Sequence, residues 1–250
     1  MVAPASYVLP RLRVSEGLAD AIAFAGGTLF PILGLSLAAM VEVSLAFALG
    51  IAAMAAAVLI ALAVLQPSPI ITVLMADGAL VWLSWALGGS LGRRVQHAAH
   101  LLPACVVAAC ADLVSLLSPE GPSHAVAESE RALSVLAVWF PVPGRPALAP
   151  ALGVGDLLFM ALVFGVARAH GLPYARCVVA CVVGTALAGL ASAWSGSAVP
   201  ALVPIAAVVV LTLPAVRKLQ RRDRRAAHWS MLIASTIALV SVARALLSRQ

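Results

Sequence analysis

Charge is scarce in this chain: Asp, Glu, Lys and Arg make up 10% of its 250 residues, while 63% are hydrophobic. With a mean hydropathy of +1.06, no soluble domain of this size could bury that much apolar side chain. Strict apolar–polar alternation is also missing, which argues against a membrane β-barrel built from strands of about ten residues. The apolar runs are continuous and rich in Ala, Leu and Val. Only four cysteines occur, Cys105, Cys110, Cys177 and Cys181, all within apolar runs. No His or further Cys completes a zinc set around them, so they read as packing residues and leave the redox compartment open. No soluble second domain, low-complexity tail or internal repeat is visible. What is present is a polytopic helical membrane protein, an all-α transmembrane bundle.

The net charge of +6 reads as topology rather than nucleic-acid binding, because cytoplasmic loops of membrane proteins collect Lys and Arg. Eight spans are expected, near 17–39, 43–65, 70–91, 97–117, 150–167, 174–194, 200–216 and 229–247. The first two should form a tight hairpin around Glu42, and Gln66-Pro67-Ser68-Pro69 should break the chain before the third. Arg11 and Arg13 precede an apolar stretch too long for a signal peptide, so it is read as a retained first helix. The sequence divides into N-terminal helices (1–92), a core (93–216), and a basic loop with a last helix (217–250). Arg93, Arg94, Arg168, Arg176 and the six basic residues of 217–225 share one side of this alternation. Arg11, Arg13, Arg131, Arg145, Arg244 and Arg249 fall on the other. The ten-residue side is then cytoplasmic, and the long polar interval 118–149 faces outward. Within it Ala132–Phe140 is apolar but too short to cross, suited to lying on the membrane surface or covering a site.

Besides Asp20 near the start of the first span, three acidic residues sit inside apolar runs. Asp112 lies near the end of the fourth span and Asp156 near the start of the fifth, on either side of the 118–149 interval. At 1.5 Å per residue both should lie roughly 7–10 Å below one membrane face. Pro200-Ala201-Leu202 begins the seventh span at that same face. A carboxylate in hydrocarbon is costly and marks a functional site by default. Two close together in a low-dielectric site cannot both ionise easily, so one can act as acid while the other acts as base. Gly153 and Gly155 remove side chains beside Asp156 and let a substrate backbone approach. Pro200 and Pro204 disfavour a regular helix start, leaving backbone groups available to an extended substrate strand. The third acid, Asp77, has no such surroundings. It is expected to hydrogen-bond a neighbouring helix or sit near a wet crevice, with a structural role.

The stretch Asp112-Leu113-Val114-Ser115-Leu116-Leu117-Ser118-Pro119-Glu120-Gly121-Pro122 resembles the first catalytic aspartate region of the presenilin and signal peptide peptidase group of intramembrane aspartyl proteases. Leu152-Gly153-Val154-Gly155-Asp156-Leu157-Leu158-Phe159 is similar to that group's Gly-x-Gly-Asp helix start. Pro200-Ala201-Leu202 is similar to its Pro-Ala-Leu motif, again one helix later. The likeness covers about residues 105–210. It implies that Asp112 and Asp156 form the catalytic pair and that Gly153, Val154, Gly155, Pro200, Ala201 and Leu202 shape the site and bind substrate. It also implies transmembrane segments or signal-peptide remnants as substrates, the lipid bilayer as surroundings, and no metal or organic cofactor; accessory subunits stay open. Departures from the family are Ala111 in place of an aromatic residue, about three spans before Asp112 rather than five, and a further span after the Pro-Ala-Leu helix. The short loop between the aspartates argues against autocleavage. An outward aspartate end is like signal peptide peptidase and opposite to presenilin. The rival from another class is a proton-coupled transporter, or a catalytically silent scaffold, using the same pair.

The other polar features have plainer readings. Glu42 marks a solvated turn, Gly26-Gly27 permits close packing rather than phosphate binding, and His97 and His100 lie at a solvated helix end. The basic run 217–225 anchors the cytoplasmic face, within reach of anionic lipid. Richness in Ala, Arg and Val suggests a high-GC prokaryote, and hence its cell membrane.

Overall fold

The computed structural model describes residues 16–65, 69–118, 121–143, 148–196 and 199–247. The motif residues Pro119 and Glu120, and the expected break at Gln66-Pro67-Ser68, lie outside these. Helices dominate: α1 (Glu16–Ala38), α2 (Leu45–Leu65), α3 (Pro69–Ser84), α4 (Ser90–Arg94), α5 (Leu101–Leu117), α6 (Pro122–Glu128), α7 (Glu130–Leu136), α8 (Val154–Ala169), α9 (Tyr174–Ser195), α10 (Leu202–Thr212) and α11 (Arg224–Leu247). One wide π-turn, Trp85–Gly89, joins α3 to α4. Among the described residues, six helical stretches are long and apolar enough to cross a membrane: Gly17–Ala38, Leu45–Leu65, Ile70–Arg94, Ala98–Leu117, Tyr174–Ser195 and Arg224–Arg244. Large side chains such as Phe30, Ile60, Leu74, Leu190, Leu211 and Leu239 face outward. Large apolar side chains on the outer surface are what a lipid solvent requires, and the chain is a membrane protein by this reading.

Two of the eight expected spans are shorter than a crossing. The fifth opens as a strand and becomes helical only at Val154, giving a helix of 16 residues. The seventh is an 11-residue helix, ended at Leu213 and followed by a 3-10 turn at Pro214–Arg217. A two-stranded antiparallel hairpin, β1 (Ala137–Pro141) and β2 (Leu148–Gly153), adds an element that helical periodicity did not reveal.

The chain forms two compact units, each drawn from two stretches: Met1–Ser90 with Ser129–Ala161, and Leu91–Glu128 with Leu162–Gln250. In the first unit α2 packs on α3, whereas α1 packs mainly on the hairpin. The expected tight α1–α2 hairpin is therefore corrected. The connection at 39–44 is short and Glu42 is exposed, but α1 spends its small-residue face elsewhere. At Gly26 a Cβ would run into the Phe140 ring, and at Gly27 it would stand 2.5 Å from the Cβ of Ala151. Ala151 is the extra residue of a bulge, since Val138 pairs with Leu152 and Trp139 with Pro150. A bulge also accommodates Pro150, which has no N–H for a ladder. Arg131 of α7 donates from Nε to the Ala63 carbonyl at 2.6 Å and from Nη2 to the same oxygen. That carbonyl lies in the last turn of α2, where helix acceptors lack partners.

In the second unit α5 packs on α10 and α11, and α9 packs on α10. Gly184 lets α9 close on the backbone of Ile205. Several hydroxyls inside the apolar helices are satisfied locally: Thr28 donates to the Ala25 carbonyl at 3.1 Å and Thr185 to that of Cys181 at 2.8 Å, whereas the buried Ser84 hydroxyl has no partner among the described residues. Such back-bonding lets a polar side chain live in a membrane helix. α9 stops at Gly196, whose φ of 63° favours glycine, and whose N–H returns to the Ser192 carbonyl at 2.9 Å.

A Cβ at Gly184 has nowhere to go, so Gly184→Ala should lower the thermal midpoint of the detergent-solubilised protein, at a cost of about 1–3 kcal/mol. Gly50→Ala in α2, where nothing lies within 4 Å, should leave the midpoint unchanged or raise it.

Candidate active site

Asp112 stands in the last third of α5, half-buried. Its Oδ2 accepts the backbone N–H of Leu202 at 3.1 Å, across 90 positions of sequence. Leu202 is the first residue of α10. The first N–H groups of any helix lack intrahelical partners and carry the positive end of its dipole. Ile205 already donates to the Ala201 carbonyl at 3.3 Å, and Pro204 has no N–H to place. Asp112 thus caps a helix other than its own, doing from a distance what a local Asp or Ser does at an N-cap. Both ends of the bond lie in the second unit, so Asp112 touches the first residue of α10, where the sequence led to the expectation only of a shared depth. Among the described residues, Oδ1 of Asp112 has no hydrogen-bond partner.

Asp156 is half-buried and belongs to the first unit. It is the third residue of α8, and its Oδ2 accepts the Gly153 N–H at 3.1 Å. This is one arm of a capping box, an acidic side chain in the first turn reaching back to the residue before the helix. Gly153 ends β2 and pairs with Ala137, so the carboxylate is tied to the strand that leads into it. Gly155 is exposed with nothing within 4 Å of where a Cβ would be, leaving open space beside Asp156. Val154 begins α8, and Pro200 and Ala201 form the half-buried turn before α10.

The turn after Asp112 has its own chemistry, which motif matching passed over. Ser115 Oγ accepts the N–H of Ser123 at 2.8 Å and donates to Ser123 Oγ at 2.7 Å. Gly121 presses on the Ser115 carbonyl so closely that no side chain fits. These contacts fold α6 back onto the end of α5. Ser115 and Gly121 lie inside the quoted motif, so the signal was present as spacing without a role.

Asp77 behaves as expected for a structural acid in one respect. Its Oδ1 accepts the backbone N–H of Trp139 at 3.1 Å, although the partner is a strand rather than a helix. His100 is not merely solvated: its Nε2 meets Asp223 Oδ2 at 3.0 Å, tying the start of α5 to the basic run. His170 similarly reaches the Val95 carbonyl at 2.7 Å. Among the described residues no group of three or more His, Cys, Asp or Glu could hold a metal ion, and the four cysteines are free.

No protein-family model, no curated protein and no solved structure matches this chain.

Removing the Asp112 acceptor should be felt as a cap loss. Asp112→Ala should destabilise the protein by about 0.5–2 kcal/mol, read as a fall in thermal midpoint. Asp112→Asn keeps an acceptor oxygen and should fall less.

Proposed function

We propose that this protein is an intramembrane aspartyl protease of the presenilin and signal peptide peptidase type. It hydrolyses peptide bonds within transmembrane segments or signal-peptide remnants, with Asp112 and Asp156 as the catalytic pair. The observation that carries this reading is the hydrogen bond from Leu202 to Asp112. It joins the first aspartate to the Pro-Ala-Leu element over a separation that local sequence cannot impose. On this reading α8 and α10 belong to the fifth and seventh of eight spans, completed by β2 and by the turn at Pro214–Arg217. One carboxylate, ionised, takes a proton from water as that water attacks the scissile carbonyl. The other, protonated, donates to the carbonyl oxygen. The substrate must be extended at the scissile bond. Gly153, Gly155 and Pro200–Leu202 offer backbone that a strand can approach, and β2 already gives the Asp156 side an extended edge.

A second reading has an observation in its favour. Each aspartate caps a helix, so the pair could serve structure alone in a silent scaffold. Asparagine separates the two, because it can cap but cannot exchange a proton at neutral pH. Purified protein in detergent should cut a helical membrane peptide within its apolar span. Asp112→Asn and Asp156→Asn, each still folded by thermal melt, should each lose more than about 100-fold in rate. Full cleavage by either variant sinks the protease assignment.

The proposed orientation places the basic run 217–225 in the cytoplasm and the aspartate end outward. Alkaline phosphatase fused after Gln250 should then be active in a bacterial host, and a fluorescent protein fused there dark. The reverse pattern overturns the orientation.

A further inference from the structure

The first unit contains a cavity that the proteolytic reading does not use. It is a half-open cavity of about 530 Å³ bounded by α1, α3, the π-turn and β1, and two of its wall residues, Phe30 and Trp82, are also exposed on the outer surface. That is within the range of ordinary small-molecule pockets. Its walls carry three indoles (Trp82, Trp85, Trp139) and two phenyl rings (Phe30, Phe140), with Asp77 as the acidic lining residue. Trp82 and Trp85 meet edge to face at 5.5 Å, and Phe30 stacks on Phe140 at 5.9 Å. Trp85 is fixed by its own donor, Nε1 to the Ala38 carbonyl at 2.7 Å. Trp139 Nε1 is likewise spent, on the Leu133 carbonyl at 3.2 Å. The indole edges of these two are occupied within the protein, so what remains for a ligand is ring surface.

Asp77 is the anomaly in this wall. Oδ1 takes the Trp139 N–H, and among the described residues Oδ2 has no hydrogen-bond partner. Among those residues, too, no Lys, Arg or His lines the cavity. A carboxylate in an apolar membrane helix calls for a counter-charge. A metal ion is poorly served here, since only one ligating side chain is present. An ammonium group is well served, because its charge can sit against a carboxylate oxygen while its methyl or methylene groups lie on aromatic faces. Gly34 and Gly78 also line the space, and a Cβ at either would meet nothing within 4 Å. The cavity therefore has room for an apolar body beyond the charged head.

We infer that this cavity binds an organic monocation, a substituted ammonium carrying an apolar group, with Asp77 as its counter-ion and the aromatic walls as its cage. The ammonium can come from a phospholipid headgroup or from a free cationic amphiphile; the recognition chemistry is the same. This site is distinct from the Asp112 and Asp156 chemistry and is tested by binding, without reference to proteolysis.

The test uses the full-length protein in maltoside detergent, titrated calorimetrically with benzyltrimethylammonium. Neopentylbenzene, its uncharged isostere, and benzenesulfonate serve as comparisons. Saturable binding at one equivalent is expected for the cation alone. Asp77→Asn, which keeps an acceptor for Trp139, should weaken it at least about tenfold. Gly78→Leu, which fills the space without a clash at Cβ, should abolish it while leaving the thermal midpoint close to that of the parent. Equal binding of the uncharged isostere, unchanged affinity in both variants, or no saturable binding of the cation would each overturn the inference. Repeating the titration in nanodiscs assigns the source. Competition by phosphatidylcholine but not phosphatidylglycerol identifies the lipid headgroup, and equal binding in both identifies a free ammonium compound.

Discussion

The hydrogen bond between the Leu202 amide and the Asp112 carboxylate organises the second unit. The first N–H groups of any helix lack intrahelical partners, and each is costly if buried without an acceptor. α10 starts behind Pro200, with Pro204 in its first turn. A carboxylate from α5 supplies the missing acceptor. The proline-interrupted start and the acid thus explain each other: the start gives the acid a donor, and the acid makes the start tolerable. Around this bond α5 and α9 each close on α10, with Gly184 giving room at Ile205.

Asp156 solves a related problem inside its own helix. Its carboxylate returns to Gly153, so the Gly153 amide has an acceptor where strand β2 passes into α8. Both acids therefore hold backbone as well as charge. Structural and catalytic roles are compatible: a carboxylate has two oxygens, and a group fixed by one of them is already oriented for chemistry at the other.

Much of this was legible in the sequence and some was not, for physical reasons. Long apolar runs announce membrane helices because lipid demands a continuous apolar surface. The expected alternation of spans suggested a shared depth for Asp112 and Leu202, but not the hydrogen bond between them. The hairpin at 137–153 was not legible, since Ala137–Pro141 and Leu148–Gly153 are short, apolar and without strict alternation. A short apolar run looks the same whether it becomes strand or buried helix. Its identity comes from tertiary contacts, chiefly Asp77 on Trp139 and Gly26 and Gly27 against Phe140 and Ala151. Asp77 was read as structural, and that holds for one oxygen. The aromatic wall of that site joins residues from three separate parts of the chain, which no local pattern could reveal.

The bulge in the hairpin has a consequence for Asp156. Ala151 fits the gap left by Gly27, and Asp77 grips the opposite strand at Trp139, so sliding of one strand past the other is blocked at both sides. If the strands slipped by two residues, Gly153 would travel about 7 Å along the sheet direction, and the carboxylate bonded to its amide would have to follow or let go. The hairpin thus acts as a register stop: it fixes where along the strand axis an acid three residues away can sit, though neither strand contains it.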